Sequence, residues 1–224
     1  YKSNYTSIKS FNLMVKDHLG ENLFQDATFD FGRVDSAGYL DLAFTIHNLG
    51  ATSVTLTGTP RVQISGTDAS CWSMTVTPIG TITGQSYVTF NLKFAPGGVG
   101  VKSATITIPN NDTDENPYTF VVTGTGVEKV ANPAFTPAGG DSNGYTTAQS
   151  IEITSTTSGA IIRYTTDWSV PSRTNGTEYT GALNLSQTTT IKAIAYIDDT
   201  YFDSDVVEIL YYFPTDLIMI DVPA

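Results

Sequence analysis

The chain has 224 residues with 22 acidic and 11 basic side chains, which gives a formal net charge of -11. A protein that binds nucleic acid needs a basic surface to displace counterions from the phosphates, so this composition excludes nucleic acid as a partner. The single cysteine excludes an intramolecular disulfide, and without a run of 18 apolar residues no membrane insertion is predicted in this segment.

The first half of the chain alternates apolar and polar residues with a period of two. In the segment 40–46, Leu42 and Phe44 fall on one face, whereas Asp41 and Thr45 fall on the other. Such alternation is typical of antiparallel sheets with one face on a core and one in water. Turn residues recur at intervals of about ten residues, which favours a sandwich over long hairpins. The same alternation predicts further strands in 87–94, 104–108 and 118–122.

The stretch PNNDTDENPY, residues 109–118, is the most polar part of the chain. Its oxygens suggest either a calcium site, with Asp112, Asp114 and Glu115 as ligands, or a turn between two strands. The acids do not follow the EF-hand spacing, and the glycine of that loop is absent. Asn and Asp favour turns because their side chains bond to nearby backbone groups. We therefore interpret the stretch as a turn, with calcium as the alternative, and expect no other cofactor.

The sequence VTGTG, residues 122–126, closes this first set of strands. A short connector, VEKVANP, follows, and a domain boundary is predicted near residues 127–132. A second set of strands then follows in IEITS, AIIRYTT, TIKAIAYI and VVEILYYF. The acidic segment DDTYFDSD, residues 198–205, lies between the last two, so a hairpin loop is favoured there over a metal site.

The first half of the chain contains several motifs that are weak one by one but specific when they occur together in this order. They are FDFG (29–32), FTIHNLG (44–50), VQISGTDASCW (62–72) and the long segment 90–126. Together they resemble the Ig-like modules of the ASH/HYDIN type, close to the bacterial choice-of-anchor D domain. A departure lies at Trp72, because the family more often has Phe a residue or two along. The resemblance places this module at 10–127 and leaves residues 1–9 as a linker.

Motifs of the second half are longer and more specific. They are NPAFTPAGG (132–140), GAIIRYTTDWSVPS (159–172) and YTGALNLSQTTTIKAIAY (179–196). They resemble the C-terminal β-sandwich module of chitobiase and β-hexosaminidase, which places this module at 128–212. Trp168 is a departure, since the turn of that family usually carries Gly, which permits a positive φ. Trp168 therefore lies either in a rearranged turn or on an exposed turn as a free aromatic side chain.

The two resemblances imply an all-β protein of two tandem Ig-like antiparallel β-sandwiches. They further imply accessory, adhesive or structural modules of exported bacterial proteins, without catalysis. The motifs G-x-S-x-G and H-E-x-x-H and the P-loop are absent, and paired carboxylates carry little signal among 22 acids. We predict that the chain is not an enzyme and that it lies outside the cell or at the surface of a bacterial envelope.

One group of residues suggests a contact site. Trp168 beside Asp167, with Arg173 and Tyr179 nearby in sequence, supplies an aromatic face and polar groups for a polysaccharide or a protein partner. The structural alternative is that Tyr179 packs on the following turn and Trp168 covers the end of the sandwich. The sequence alone favours this structural interpretation.

The tail FPTDLIMIDVPA, residues 213–224, is apolar and strand-like. It either folds back on its own domain or pairs with a neighbouring subunit, since exposed sheet edges accept added strands. The favoured function is a non-catalytic structural or adhesion protein, either secreted or at the cell surface, built of Ig-like modules. One alternative is a subunit of an extracellular filament that polymerises by terminal strand exchange. Another is a carbohydrate-binding accessory region of a larger exported enzyme.

Overall fold

The computed structural model describes residues 12–140 and 144–214. The chain divides into two compact units, called unit 1 and unit 2, with the boundary after Val127. The predicted linker 1–9 and most of the predicted tail, from residue 215 onward, lie outside the described residues.

Unit 1 is built from two main sheets. One sheet has the strand order β2-β1-β4-β9-β7, the other has the order β3-β11-β10-β6, and β5 pairs with β8 in a small ribbon. A short 3₁₀ turn, Ala69–Cys71, precedes β7. The strands are β1 (Leu13–Lys16), β2 (Asn22–Leu23), β3 (Thr28–Asp35), β4 (Leu40–Asn48), β5 (Val54–Thr55), β6 (Gln63–Ser65), β7 (Trp72–Val76), β8 (Thr81–Ile82), β9 (Ser86–Phe94), β10 (Gly100–Ile108) and β11 (Tyr118–Val127).

The core of unit 1 lies between these two sheets. Phe44 of β4 stacks on its strand neighbour Phe90 with 5.4 Å between ring centroids, and it meets Phe120 of the opposite sheet at 6.2 Å. Each fully buried Phe contributes about 1.5–3 kcal/mol relative to an exposed one. Trp72 is also buried and stacks on Phe94 at 4.6 Å. The strands predicted from alternation in this half are confirmed, with their apolar faces inward.

One strand pair of unit 1 departs from the antiparallel pattern. β3 pairs in parallel with β11, from Thr28 beside Val121 to Asp35 beside Val127, with a register shift between Thr123 and Thr125. A parallel pair cannot be closed by a short hairpin and needs a long connection. The strands from β4 to β10 provide that connection.

Unit 2 also contains two main sheets. Their strand orders are β12-β13-β16 and β15-β14-β17-β18. Ile151 and Ile153 of the first sheet and Ile191, Ala193 and Tyr211 of the second belong to one buried cluster. The strands are β12 (Ala134–Thr136), β13 (Gln149–Thr154), β14 (Ile161–Thr165), β15 (Thr177–Glu178), β16 (Leu183–Leu185), β17 (Thr189–Tyr196) and β18 (Val207–Tyr211).

The prediction of an all-β fold of Ig-like sandwich type is confirmed. Strands with alternating burial surround a separate apolar cluster in each unit. Among the described residues, no helix has the length and apolar character that crossing a membrane requires.

Candidate functional site

The predicted acidic ligands lie in the loop between β10 and β11, residues 109–117, here called the acidic loop. One carboxylate oxygen from each of Asp112, Asp114 and Glu115 lies within 4.8 Å of the others. The three residues that the sequence suggests as calcium ligands are therefore also close together in the structure. Calcium takes six to eight oxygen ligands, and three carboxylates supply at most six.

Glu115 already has a structural task in this loop. Its side chain is buried, and Oε2 accepts hydrogen bonds from the backbone N–H of Asn12 at 3.1 Å and of Leu13 at 2.8 Å. Burial raises the pKa of Glu115, and the charges of Asp112 and Asp114 raise it further, while the two amides act in the opposite direction. Glu115 thus joins the acidic loop to β1.

Other polar groups of the acidic loop close its own turns. Asn110 accepts the N–H of Asp112 through Oδ1 at 2.8 Å and donates from Nδ2 to the carbonyl of Glu115 at 3.0 Å. Asp112 in turn accepts the N–H of Asp114 at 3.2 Å. These are the side chain to backbone bonds for which Asn and Asp are favoured in turns. The arrangement supports the turn interpretation, and the calcium site stays a prediction.

The second predicted group centres on the turn after β14, residues 165–169, here called the Trp168 turn. Asp167 Oδ1 accepts hydrogen bonds from the backbone N–H of Ser169 at 3.1 Å and from its hydroxyl at 2.6 Å. Thr165 Oγ1 donates to the carbonyl of Ser169 at 2.7 Å, which closes the turn from the other side. The bonds from Ser169 lower the pKa of Asp167, so this carboxylate is ionised at neutral pH.

Trp168 occupies the tip of this turn in a strained conformation. Its φ is +69°, in the left-handed region, and its side chain is 68% exposed. The left-handed region costs a residue with a Cβ roughly 1–2 kcal/mol. The structure therefore keeps the backbone that Gly would adopt here, and it presents Trp168 as an exposed aromatic side chain. The sequence posed two alternatives, a rearranged turn or an exposed aromatic side chain, and the structure has the second.

The residues that follow hold this turn in place. Asn175 Nδ2 donates to the carbonyl of Val170 at 2.8 Å and to Ser169 Oγ at 3.3 Å. Pro171 is buried, whereas Val170 is 63% exposed beside Trp168. The sequence did not predict that Val170 is exposed, because a lone aliphatic residue before proline gives no signal of exposure.

Arg173 donates four hydrogen bonds to the acidic hairpin loop between β17 and β18. Its Nε and Nη2 donate to Asp203 Oδ1 at 2.9 and 2.7 Å, and its Nη1 donates to Asp199 Oδ1 at 2.7 Å. Nη2 also donates to the carbonyl of Asp198 at 3.0 Å. The carboxylate of Asp203, more than that of Asp199, raises the pKa of Arg173. Arg173 thus joins two loops of unit 2.

Tyr179 is half-buried and packs against the core of unit 2. Its ring meets Tyr164 edge-on with 6.5 Å between centroids, and its N–H donates to the carbonyl of Ile162 at 2.8 Å. Of the four predicted contact residues, the structure presents Asp167 and Trp168 on one exposed turn. It places Arg173 and Tyr179 in internal contacts of unit 2.

The sheets and their cores define an all-β protein with an Ig-like fold. The family model named Fn3 associated matches residues 151–211, which run from β13 to β18. Among curated proteins, none matches the chain.

Several solved structures are similar to this chain at low identity. A protein of unknown function from Porphyromonas gingivalis W83 is 17% identical with a TM-score of 0.38, and the match covers 55% of this chain and 51% of that one. The ASH/PapD-like domain 7 of human CEP192 is 14% identical with a TM-score of 0.37, over 53% of this chain and 87% of that one. The secreted serine protease VesC from Vibrio cholerae is 11% identical with a TM-score of 0.36, over 83% and 50%. At these values the matches carry no functional inference.

Proposed function

We propose that the chain is a non-catalytic part of an exported bacterial surface protein, and that unit 2 contacts a partner through the Trp168 turn. The observation that carries this proposal is an exposed Trp held on left-handed backbone by side-chain hydrogen bonds. In the same proposal, unit 1 is a module of the ASH/choice-of-anchor D type. Unit 2 is then a module of the chitobiase C-terminal type.

The energetics of the turn support a binding role. The conformation of Trp168 is unfavourable for any residue with a Cβ, and an indole that is 68% exposed recovers little of that cost by burial. Strained residues persist where they serve function, and Trp is among the residues favoured as anchors in binding interfaces. The stability of unit 2 gives no reason for Trp at this position, whereas a contact with a partner does.

The chemistry of the turn favours recognition over catalysis. Asp167 accepts two hydrogen bonds and has a lowered pKa, so it suits hydrogen bonding to a ligand better than proton donation. A flat indole beside an ionised carboxylate fits the face and hydroxyl groups of a sugar. We therefore propose a polysaccharide of the cell envelope as the ligand, with a protein surface as the alternative.

The proposal is tested by replacing Trp168 with Gly, which fits the backbone of the turn without strain. The full chain is incubated with insoluble chitin and with peptidoglycan, and the bound fraction is measured across a concentration series. We expect the wild type to be retained on at least one of them and Trp168→Gly to lose most of that retention. Tyr39→Ala serves as the matched control, because Tyr39 is an aromatic residue of unit 1 with a similar exposure of 65%.

Two results would contradict the proposal. Equal retention of the wild type and Trp168→Gly would show that the turn is not the contact. Retention by neither material would remove polysaccharide as the ligand.

A further inference from the structure

Unit 1 contains a cleft between the segment that follows β5 and the end of β7. Its volume is about 590 Å³, within the range of roughly 300–1,000 Å³ that ligand pockets occupy. The walls combine aliphatic side chains, three threonines and one guanidinium group. The main lining residues are Leu56, Pro60, Arg61, Val62, Met74 and Pro78, and we call this the Arg61 cleft.

Arg61 is held in position at the wall of this cleft. Its Nη1 donates to the carbonyl of Pro78 at 3.3 Å, and its guanidinium lies against Gly80. A Cβ at Gly80 would come within 3.1 Å of Arg61 Nε, so the glycine leaves the space that the guanidinium occupies. Across the described residues, Arg61 has no carboxylate within ion-pair distance, although the chain carries a net charge of -11. The cleft therefore presents a placed cation with N–H groups left for a ligand.

An open sheet edge lies beside the cleft. Met74 belongs both to the cleft wall and to β7, the last strand of its sheet. Within the part of the chain that the structure describes, β9 is the only strand that pairs with β7. Unpaired N–H and C=O groups of an edge strand accept a further strand from another chain. A ligand in this cleft is therefore expected to be an extended peptide.

We propose that the Arg61 cleft and the β7 edge bind residues 216–222 of a second copy of this chain. This segment reads DLIMIDV, with a carboxylate near each end of an aliphatic run. A carboxylate and a guanidinium form strong, often bidentate hydrogen bonds, and the aliphatic side chains match the apolar part of the cleft wall. Such a contact is a specific form of self-association through terminal strands.

The length of the tail suits this contact. Phe213 is buried in unit 2, where its N–H donates to Thr188 Oγ1 at 2.9 Å and its carbonyl accepts from the same hydroxyl at 3.0 Å. The segment 215–224 follows, and a fully extended chain of this length spans about 33–36 Å. That reach exceeds the length of β7, since a strand advances roughly 3.3 Å per residue.

The test uses a fluorescent synthetic peptide of residues 213–224, acetylated and amidated so that its termini carry no charge. Its anisotropy is measured as the full chain is added. We expect saturable binding that Arg61→Gln weakens at least tenfold and that Arg61→Lys weakens less. A peptide with both Asp216→Asn and Asp221→Asn should bind the wild type at least tenfold more weakly and lose little more on Arg61→Gln, because both changes remove the ion pair between Arg61 and a peptide carboxylate.

The matched control is Lys102→Gln, which removes the same charge from unit 1 outside the cleft. It should bind the peptide like the wild type. Fluorescence of the buried Trp72, read in a Trp168→Phe background, checks that each variant of unit 1 is folded. Sedimentation velocity of the full chain tests whether a second copy supplies the bound segment. The wild type should associate as its concentration rises, and Arg61→Gln should not.

Three outcomes would overturn the proposal. The peptide fails to bind, or Arg61→Gln and Lys102→Gln weaken it equally, which would indicate a general effect of charge. In the third outcome the full chain stays monomeric at concentrations where the peptide saturates the cleft, which would exclude a second copy as the donor.

Discussion

Glu115 links the acidic loop to β1, and its replacement gives a sharp test of that link. Its carboxylate accepts two backbone N–H groups, those of Asn12 and Leu13, at 3.1 and 2.8 Å, and its side chain is only 4% exposed. A hydrogen bond to a charged group contributes about 1.5–3 kcal/mol, and an unsatisfied buried donor costs about 1–3 kcal/mol. Because burial of the carboxylate offsets part of this gain, we expect Glu115→Ala to lower the free energy of unfolding of unit 1 by about 2–4 kcal/mol.

Glu115→Gln is the matched variant, because its amide oxygen can accept the same two N–H groups without a charge. We expect it to cost at most about 1 kcal/mol at neutral pH. The two variants therefore separate loss of the acceptor from loss of the charge.

The pH dependence follows from the raised pKa of Glu115. The unfolded chain releases this proton near the ordinary value of about 4.3, while the folded chain retains it to higher pH. The stability that Glu115 contributes is therefore fully present below the unfolded pKa and declines as pH rises through the folded one. Glu115→Gln should lack this decline.

The assay is urea unfolding followed by the fluorescence of Trp72, whose side chain is 4% exposed and reports on unit 1. A Trp168→Phe background removes the second indole, leaving one reporter. Equal losses for the Ala and Gln variants would refute the reasoning, as would an Ala variant within about 0.5 kcal/mol of the parent, the usual range of surface substitutions.

Further predictions concern other parts of the chain. In urea unfolding, Gly126→Ala should lower the stability of unit 1 by about 1–3 kcal/mol, because a Cβ would lie 2.0 Å from the carbonyl oxygen of Gly98. Gly181 has open space around it, so the control Gly181→Ala should change the stability of unit 2 by less than about 0.5 kcal/mol. Trp168→Gly should be more stable than Trp168→Ala by about 1 kcal/mol in thermal melting, since only Gly relieves the left-handed strain, and the opposite order would contradict a φ of +69° at this position. Arg173→Gln should lower the melting temperature of unit 2 by an amount that shrinks with added salt, and a loss independent of salt would argue against the ion pairs. Calcium should leave the melting temperature of unit 1 unchanged, and a rise that disappears in Glu115→Gln would establish the metal site instead.

The sequence predicted the strands well because alternation records burial directly. In β4 the predicted inward residues are Leu42 and Phe44, of which Phe44 is fully buried and Leu42 is partly buried. The parallel pairing of β3 with β11 was not predicted. The two strands are separated by most of unit 1, and no local pattern specifies which distant edge a strand will join.

The candidate sites were predicted only as far as residue type allows. The clustering of Asp112, Asp114 and Glu115 could be expected because they are close in sequence, but the amide partners of Glu115 lie 102 and 103 positions away. Arg173 was grouped with Trp168 by proximity, whereas its carboxylate partner Asp203 is 30 positions away. Contacts of this kind depend on how loops meet in the folded chain.

The departure from Gly at Trp168 was visible in the sequence, but its meaning needed backbone geometry. A positive φ distinguishes a Trp that occupies a glycine conformation from one in a remodelled turn. The exposed fraction of the side chain then separates a surface contact from packing at the end of the sandwich.

The parallel pairing of β3 with β11 has a mechanical consequence. Tension that pulls on the chain before β3 and on the chain after β11 drags these two strands past each other along their length. Their hydrogen bonds, from Thr28 beside Val121 to Asp35 beside Val127, are then loaded together, whereas the bonds of a hairpin pulled from its open end break one after another. We therefore expect the ladder to resist tension between these two points as two loaded segments, one on each side of the register shift between Thr123 and Thr125.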